Sequence, residues 1–284
     1  MKSKHLLLFL FLILFSINAF AQQIIRPWKG IRPVSRVRMW HYQAGKDNSG
    51  VSIIILPGGS YRHLGIRQEG HAVARFLSQN GYNSFVLRYS TRMYGHSYPV
   101  MMEDIQRAVM WIQEHAEEYG VDPHKIGVLG FSAGGHLAGW MGTYFDDNHL
   151  VKYGLVPSMS LKPAFVGMIY PVISMMDEIV HKKSRNNLLP SDLPLSLRQY
   201  MSLEKNVRDD MPPVFLMACQ DDPVVNPENS YRYNEALLEK GIPHTFHVFE
   251  AGGHGFGYEP NGKNKTAANW MADFLQWMKN NDFN

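Results

Sequence analysis

Short apolar runs and helical patterns alternate along this chain. "VSIIILPGG", "NSFVLRYS", "KIGVLGFS", "AFVGMIYPV", "PPVFLMACQDD" and "HTFHVFEAGG" each read as a strand that ends in turn residues. Between them lie "EGHAVARFLSQNG", "VMMEDIQRAVMWIQEHAEEYG", "AGGHLAGWMGTYF" and "PENSYRYNEALLEKG". In the second of these, Ile105, Val109 and Ile112 recur at helical spacing. Gly81, Gly120 and Gly241 stand where helix C-caps are expected. Strands and helices in alternation demand an α/β fold, a mostly parallel sheet with helices on both faces. "VRMWHYQAG" precedes the first unit and reads as an additional edge strand, while the irregular stretch 173–213 reads as a cap-like insertion over the top of the sheet.

The first residues do not fit that pattern. "MKSKHLLLFLFLILFSINAFAQQ" has a basic start, an apolar core and an Ala19-Phe20-Ala21 terminus, the signature of a cleaved signal peptide. Export to the periplasm or medium is therefore expected, with residues 1–21 removed, 22–284 forming one domain, and no membrane association afterwards. Lys2 and Lys4 carry much of the formal charge of +3, so the remainder is nearly neutral and offers no electrostatic footprint for nucleic acid. Cys219 is the single cysteine, which excludes an intrachain disulfide and reads as a small packed hydrophobe.

The candidate chemistry sits where a strand meets a helix. Gly130-Phe131-Ser132-Ala133-Gly134 is G-x-S-x-G with "KIGVLG" before it and "AGGHLAGW" after it, the context of a nucleophile elbow. The flanking glycines are required because a Cβ there would collide with neighbouring backbone. A serine hydroxyl needs a base, and the base needs an acid to orient it. Asp221 and Asp222 follow one later strand and His254 the next, all at C-terminal strand ends, where α/β sheets gather their sites. Asp222, opening D-x-V-V-x-P, is the favoured acid; Asp221 reads as a turn carboxylate, and Glu250 is the weaker alternative. His244 and His247 lie three apart on a strand and so face opposite ways, and His136 reads as a polar packing residue under the elbow. No metal or cofactor site is expected from the spacing of the His, Cys, Asp and Glu residues. For the oxyanion, Pro57-Gly58-Gly59-Ser60-Tyr61 ends a strand in a Gly-Gly turn, making the N–H groups of Gly59, Ser60 and Ala133 the expected donors. Tyr61 and Tyr170 are expected to crowd the acyl side.

Taken together, these segments resemble the α/β-hydrolase superfamily over nearly the whole chain after the leader. Within it, "PGGSYRHLGIRQEGHAVARFL", "GVLGFSAGGHLAG", "YPVISM", "SLEKNV" and "DDPVVNPENS" look like the secreted bacterial esterases that deacetylate xylan. The resemblance implies Ser132 as nucleophile, Asp222 as acid, His254 as base and the Gly58-Gly59-Ser60 loop at the oxyanion, with Ser60 standing where a third glycine is more usual. The expected substrate is an acetyl ester of xylan or xylo-oligosaccharides. A general carboxylesterase, a feruloyl esterase, a prolyl-oligopeptidase-like peptidase and a non-catalytic hydrolase-fold binding protein remain the alternatives.

Overall fold

Ile53, Ile54, Ile55 and Leu56 are all buried and face alternately into two separate apolar clusters, so both faces of this strand are covered. It is the third of eight among the described residues: β1 (Ile24–Ile25), β2 (Arg38–Tyr42), β3 (Ser52–Leu56), β4 (Asn83–Arg88), β5 (Ile126–Phe131), β6 (Val166–Ile169), β7 (Val214–Cys219) and β8 (His244–Phe249). These belong to a computed structural model that describes residues 23–45, 47–189, 194–259 and 264–284. The expected signal peptide, residues 1–21, lies outside the described residues.

The strands form one sheet in the order β1-β2-β4-β3-β5-β6-β7-β8. β1 and β2 run antiparallel to their neighbours and all other pairs are parallel, as the alternating pattern requires. The helices are α1 (Val73–Gln79), α2 (Val100–Glu114), α3 (Ala116–Tyr119), α4 (Ala133–Thr143), α5 (Lys182–Leu188), α6 (Leu195–Tyr200), α7 (Glu228–Glu239) and α8 (Lys265–Asn280). On one face, Ile105 and Val109 of α2, Leu137 and Trp140 of α4 and Leu237 of α7 meet Ile54, Val128 and Leu216. On the other, Val73 and Leu77 of α1 and Trp270, Phe274 and Met278 of α8 meet Ile53, Leu129 and Phe215. Cys219 packs in this second cluster as expected, and burial pushes its thiol up to about 12.

Two sequence expectations are corrected, and one helix was not foreseen. β2 is not the edge strand, because the two residues of β1 pair outside it through Ile24↔Trp40 and Ile25↔Met39. The long helical pattern after Pro99 divides at His115 into α2 and α3. The strand-to-strand reading also stopped short of α8, although Trp270, Met271, Phe274, Trp277 and Met278 carry a clear helical stripe.

The segment after β6 lies against the site. Its start is fixed by Asn229 of α7, whose Oδ1 accepts from the N–H groups of Ile173 (3.0 Å) and Ser174 (2.9 Å). α5 then approaches the loop after β3, where Asn187 Nδ2 donates to the carbonyl of Ser60 at 2.8 Å. No helix among the described residues is long and apolar enough to cross a membrane.

Candidate active site

Four strand ends converge on one cavity of about 220 Å³. β5 delivers Ser132, the loop after β8 delivers His254, the loop after β3 supplies Gly58, Gly59 and Ser60, and the loop after β7 adds Val224 to the wall and places Asp222 behind His254. Ser132 adopts φ 52°, ψ −118°, a backbone conformation that costs a non-glycine residue on the order of 1–3 kcal/mol. Neighbouring hydrogen bonds hold it there: Ser132 N–H donates to Ile169 O (3.0 Å), and its carbonyl accepts from Val172 N–H (3.0 Å) and His136 N–H (3.2 Å). The two motif glycines are needed for close approach. A Cβ on Gly130 would stand 2.0 Å from the carbonyl oxygen of Gly134, and one on Gly134 would stand 2.0 Å from that of Leu56.

Ser132 Oγ lies 2.9 Å from His254 Nε2, and His254 Nδ1 lies 2.6 Å from Asp222 Oδ2. The order of contacts assigns the imidazole proton to Nδ1, donated to the carboxylate, and leaves Nε2 free to accept from the hydroxyl. The other oxygen of Asp222 accepts from the N–H groups of Val224 (2.8 Å) and Val225 (2.9 Å), so the carboxylate is fixed from both sides. Asp221 faces elsewhere: it accepts from Gly253 N–H (2.8 Å) and Gly252 N–H (3.2 Å), and these two donors hold its carboxyl below the usual range. It shapes the turn that carries His254. Glu250 is exposed, and the Nδ1 that it would have to meet faces Asp222.

Beside Ser132, the N–H of Ala133 is the first of α4 and has no acceptor within its helix. Across the cavity, the N–H groups of Gly59 and Ser60 donate to no backbone acceptor among the described residues. Gly58 differs, since its N–H donates to Glu69 Oε2 at 2.8 Å. Gly59, Ser60 and Tyr61 all have positive φ, at 133°, 55° and 57°.

Tyr61 and Tyr170 do not line the cavity, which corrects the expectation that they crowd the acyl side. Tyr61 is fully buried, and its hydroxyl donates to His136 Nδ1 at 2.8 Å. Tyr170 lies beside His254, with ring centroids 4.7 Å apart, and its hydroxyl donates to Glu69 Oε1 at 2.9 Å. Glu69 lines the cavity and is the site residue that sequence reasoning missed. It lies in a π-helical turn, Arg67–Ala72, that runs into α1.

His136 is confined as a packing residue. Nδ1 accepts from Tyr61, Nε2–H donates to Met201 O at 2.7 Å, and burial lowers its pKa from 6.5 to about 4, against the pull of the Met201 carbonyl. The unfolded chain therefore takes up this proton first as pH falls. The stability held by neutral His136 should be complete above pH 6.5, decline by up to ~1.4 kcal/mol per pH unit below it, and be spent near pH 4. Denaturant titrations across that interval check this; His136→Gln should show a shallower pH slope than the wild type.

Among the described residues, no group of three His, Cys, Asp or Glu side chains could hold a metal ion. His244 and His247 do diverge: one meets Asn234 of α7 and the other lies near Asp273 of α8.

Comparison with known proteins bears on this arrangement. The BD-FAE family model matches residues 41–237, and that of the dienelactone hydrolase family matches residues 198–281. The chain is 38% identical over 212 residues to the endo-1,4-beta-xylanase B of Butyrivibrio fibrisolvens, covering 72% of this chain and 32% of that protein. It is 30% identical over 220 residues to an acetylxylan esterase of Xylanibacter ruminicola, covering 75% of this chain and 42% of that protein. It thus spans less than half the length of either. A crystal structure of an acetyl ester-xyloside bifunctional hydrolase from Caldicellulosiruptor lactoaceticus matches with TM-score 0.82 and 30% identity, over 91% of this chain and 96% of that one. A carboxylesterase from Lactobacillus plantarum, at 23% identity and TM-score 0.73 over 91% of this chain and 96% of its own, shares the fold.

Proposed function

We propose, for a chain that belongs to the BD-FAE family and has the α/β-hydrolase fold, that it is a serine esterase removing short acyl groups, acetyl above all, from carbohydrate alcohols such as those of xylan. The observation that carries this reading is the unbroken line Ser132 Oγ–His254–Asp222 opening beneath three N–H groups, those of Gly59, Ser60 and Ala133, for which no competing acceptor stands among the described residues. His254 takes the proton of Ser132 as the hydroxyl attacks the ester carbonyl, and Asp222 stabilises the imidazolium. Negative charge then develops on the carbonyl oxygen and meets the N–H groups of Gly59, Ser60 and Ala133, each worth about 3 kcal/mol to the transition state. The protonated His254 hands its proton to the departing alcohol, and water repeats the sequence on the acyl-enzyme.

The preference for a short acyl group rests on the lining of the cavity. Glycine backbone, Ser60, His63, Gln68 and the Glu69 carboxylate form much of its wall, and Val224 is the aliphatic side chain there. An added methylene is worth about 0.8 kcal/mol when it is buried against apolar surface. Here the wall is polar in good part, so desolvation of polar groups would offset that gain. kcat/KM should therefore decline from acetate to octanoate in a series of aryl esters, and acetylated xylan should yield acetate. A maximum at butyrate or longer would favour a general carboxylesterase, and release of ferulate from feruloylated xylan without acetate would favour a feruloyl esterase. Support from relatives comes from the acetylxylan esterase of Xylanibacter and the acetyl ester-xyloside hydrolase of Caldicellulosiruptor. Export belongs to the same proposal, because a polymeric substrate stays outside the cell; N-terminal sequencing of the mature protein should find cleavage after Ala21.

A further inference from the structure

Glu69 is 5% exposed, and both of its carboxylate oxygens accept hydrogen bonds. Oε2 accepts from Gly58 N–H in the oxyanion loop. Oε1 accepts from the hydroxyl of Tyr170, which itself accepts from Gly257 N–H, three residues past His254, at 2.9 Å. That last donation occupies an acceptor site on the phenol and leaves its proton for Glu69. The arrangement suits an ionised carboxylate, since a proton on either oxygen would face a donor. Yet no lysine or arginine pairs with Glu69 among the described residues. Leaving a buried charge without a counter-ion is costly; a glutamine of the same shape would remove the charge but could accept from only one of Gly58 and Tyr170.

We propose that Glu69 is a positioning residue that ties the oxyanion loop to the histidine loop and provides a second negative charge for the His254 imidazolium formed during turnover. This rests on the serine-esterase reading above. By engaging Gly58 N–H, Glu69 turns that donor away and fixes the start of a loop whose next three residues all have positive φ, so the N–H groups of Gly59 and Ser60 are aimed before substrate arrives. Through Tyr170 it also fixes Gly257, whose carbonyl accepts from Trp270 Nε1 at 2.9 Å. The groups facing Glu69 are the phenols of Tyr170 and Tyr89 and the imidazole of His254, beyond which lie Asp222 and His181. Burial pushes the Glu69 carboxyl up; Tyr170, Gly58 and His254 pull it back down. Of these facing groups, His254 is the one that becomes a cation in the reaction.

The test measures how fast a fluorophosphonate labels Ser132, located by mass spectrometry, together with kcat and KM for an aryl acetate across a pH series. In Glu69→Gln, labelling and kcat should fall roughly tenfold to a hundredfold, short of the ~10²–10³ lost with an oxyanion donor itself, with KM little changed. The acid limb of the kcat/KM profile should move to lower pH, because the imidazolium has lost a counter-charge. Tyr170→Phe should slow labelling and leave the acid limb in place, since the charge remains. Wild-type rates and profile in Glu69→Gln overturn the inference, as do equal losses in both variants with an unmoved acid limb. If Glu69→Gln does not fold, a wild-type labelling rate in Tyr170→Phe is sufficient to overturn it. A wild-type enzyme not labelled at Ser132 would overturn the esterase reading instead.

Discussion

Ser132→Ala should lower kcat by about 10⁶-fold while the protein still folds, leaving only the catalysis that binding and oxyanion contacts supply. The size follows from the chemistry, since without Oγ no acyl-enzyme forms and His254 has no hydroxyl proton to take. Retention of the fold follows from the backbone. The bonds that hold position 132 at φ 52° are made by its main-chain N–H and carbonyl, and alanine keeps both. Its methyl group occupies the space of the serine Cβ, so the unfolding free energy should stay within about 1 kcal/mol of the wild type. Steady-state turnover of an aryl acetate and a thermal melt check both halves. Turnover near that of the wild type would remove Ser132 from the mechanism.

Asp222→Asn should lower kcat by about 10⁴-fold, and Asp221→Asn by less than about tenfold. The two carboxylates are adjacent in sequence but bonded to different partners. Asparagine at 222 can keep its Oδ1 on Val224 and Val225 N–H, so the turn survives, but its amide then presents N–H donors to His254 Nδ1. The imidazole must reverse its tautomer to accept, which places a proton on Nε2 facing Ser132. At 221, the asparagine oxygen still accepts from Gly253 N–H and only the longer bond to Gly252 is lost, on an exposed side chain. Matching the two variants for thermal stability isolates the chemical term. Comparable small losses would exclude Asp222 as the orienting acid.

The sequence expressed best what depends on neighbours along the chain. Apolar runs such as "SIIIL" and "VFLMAC" marked buried strands because a strand covered on both faces needs no polar alternation. Ser132, Asp222 and His254 were legible because each closes or follows a strand, and parallel strands bring those ends together. Tyr61 and Tyr170 were misread because one follows Ser60 and the other follows the strand after the elbow helix, while their backbones, at φ 57° and 38°, turn the rings into the interior. Glu69 was missed for a related reason. In "RQEGHA" it resembles an ordinary carboxylate in the first turn of a surface helix, and its burial arises from glycine backbone at 58 and 65 that comes close only in the folded chain. β1 escaped notice because two residues carry no periodicity.

The segment between β6 and β7 reaches the catalytic apparatus at two points. Asn187 holds the carbonyl of Ser60, and Met201 offers its carbonyl to His136, which in turn holds Tyr61. An engineer who exchanged this segment for that of another esterase, in order to recruit a new alcohol, would also be removing two struts from the loop that receives the oxyanion. Such a chimaera would lose turnover on every ester alike, including the smallest, unless the graft carried an amide and a carbonyl at the corresponding places. Substrate choice and catalytic power are therefore joint properties of one stretch of chain, and exchanging that stretch alters both.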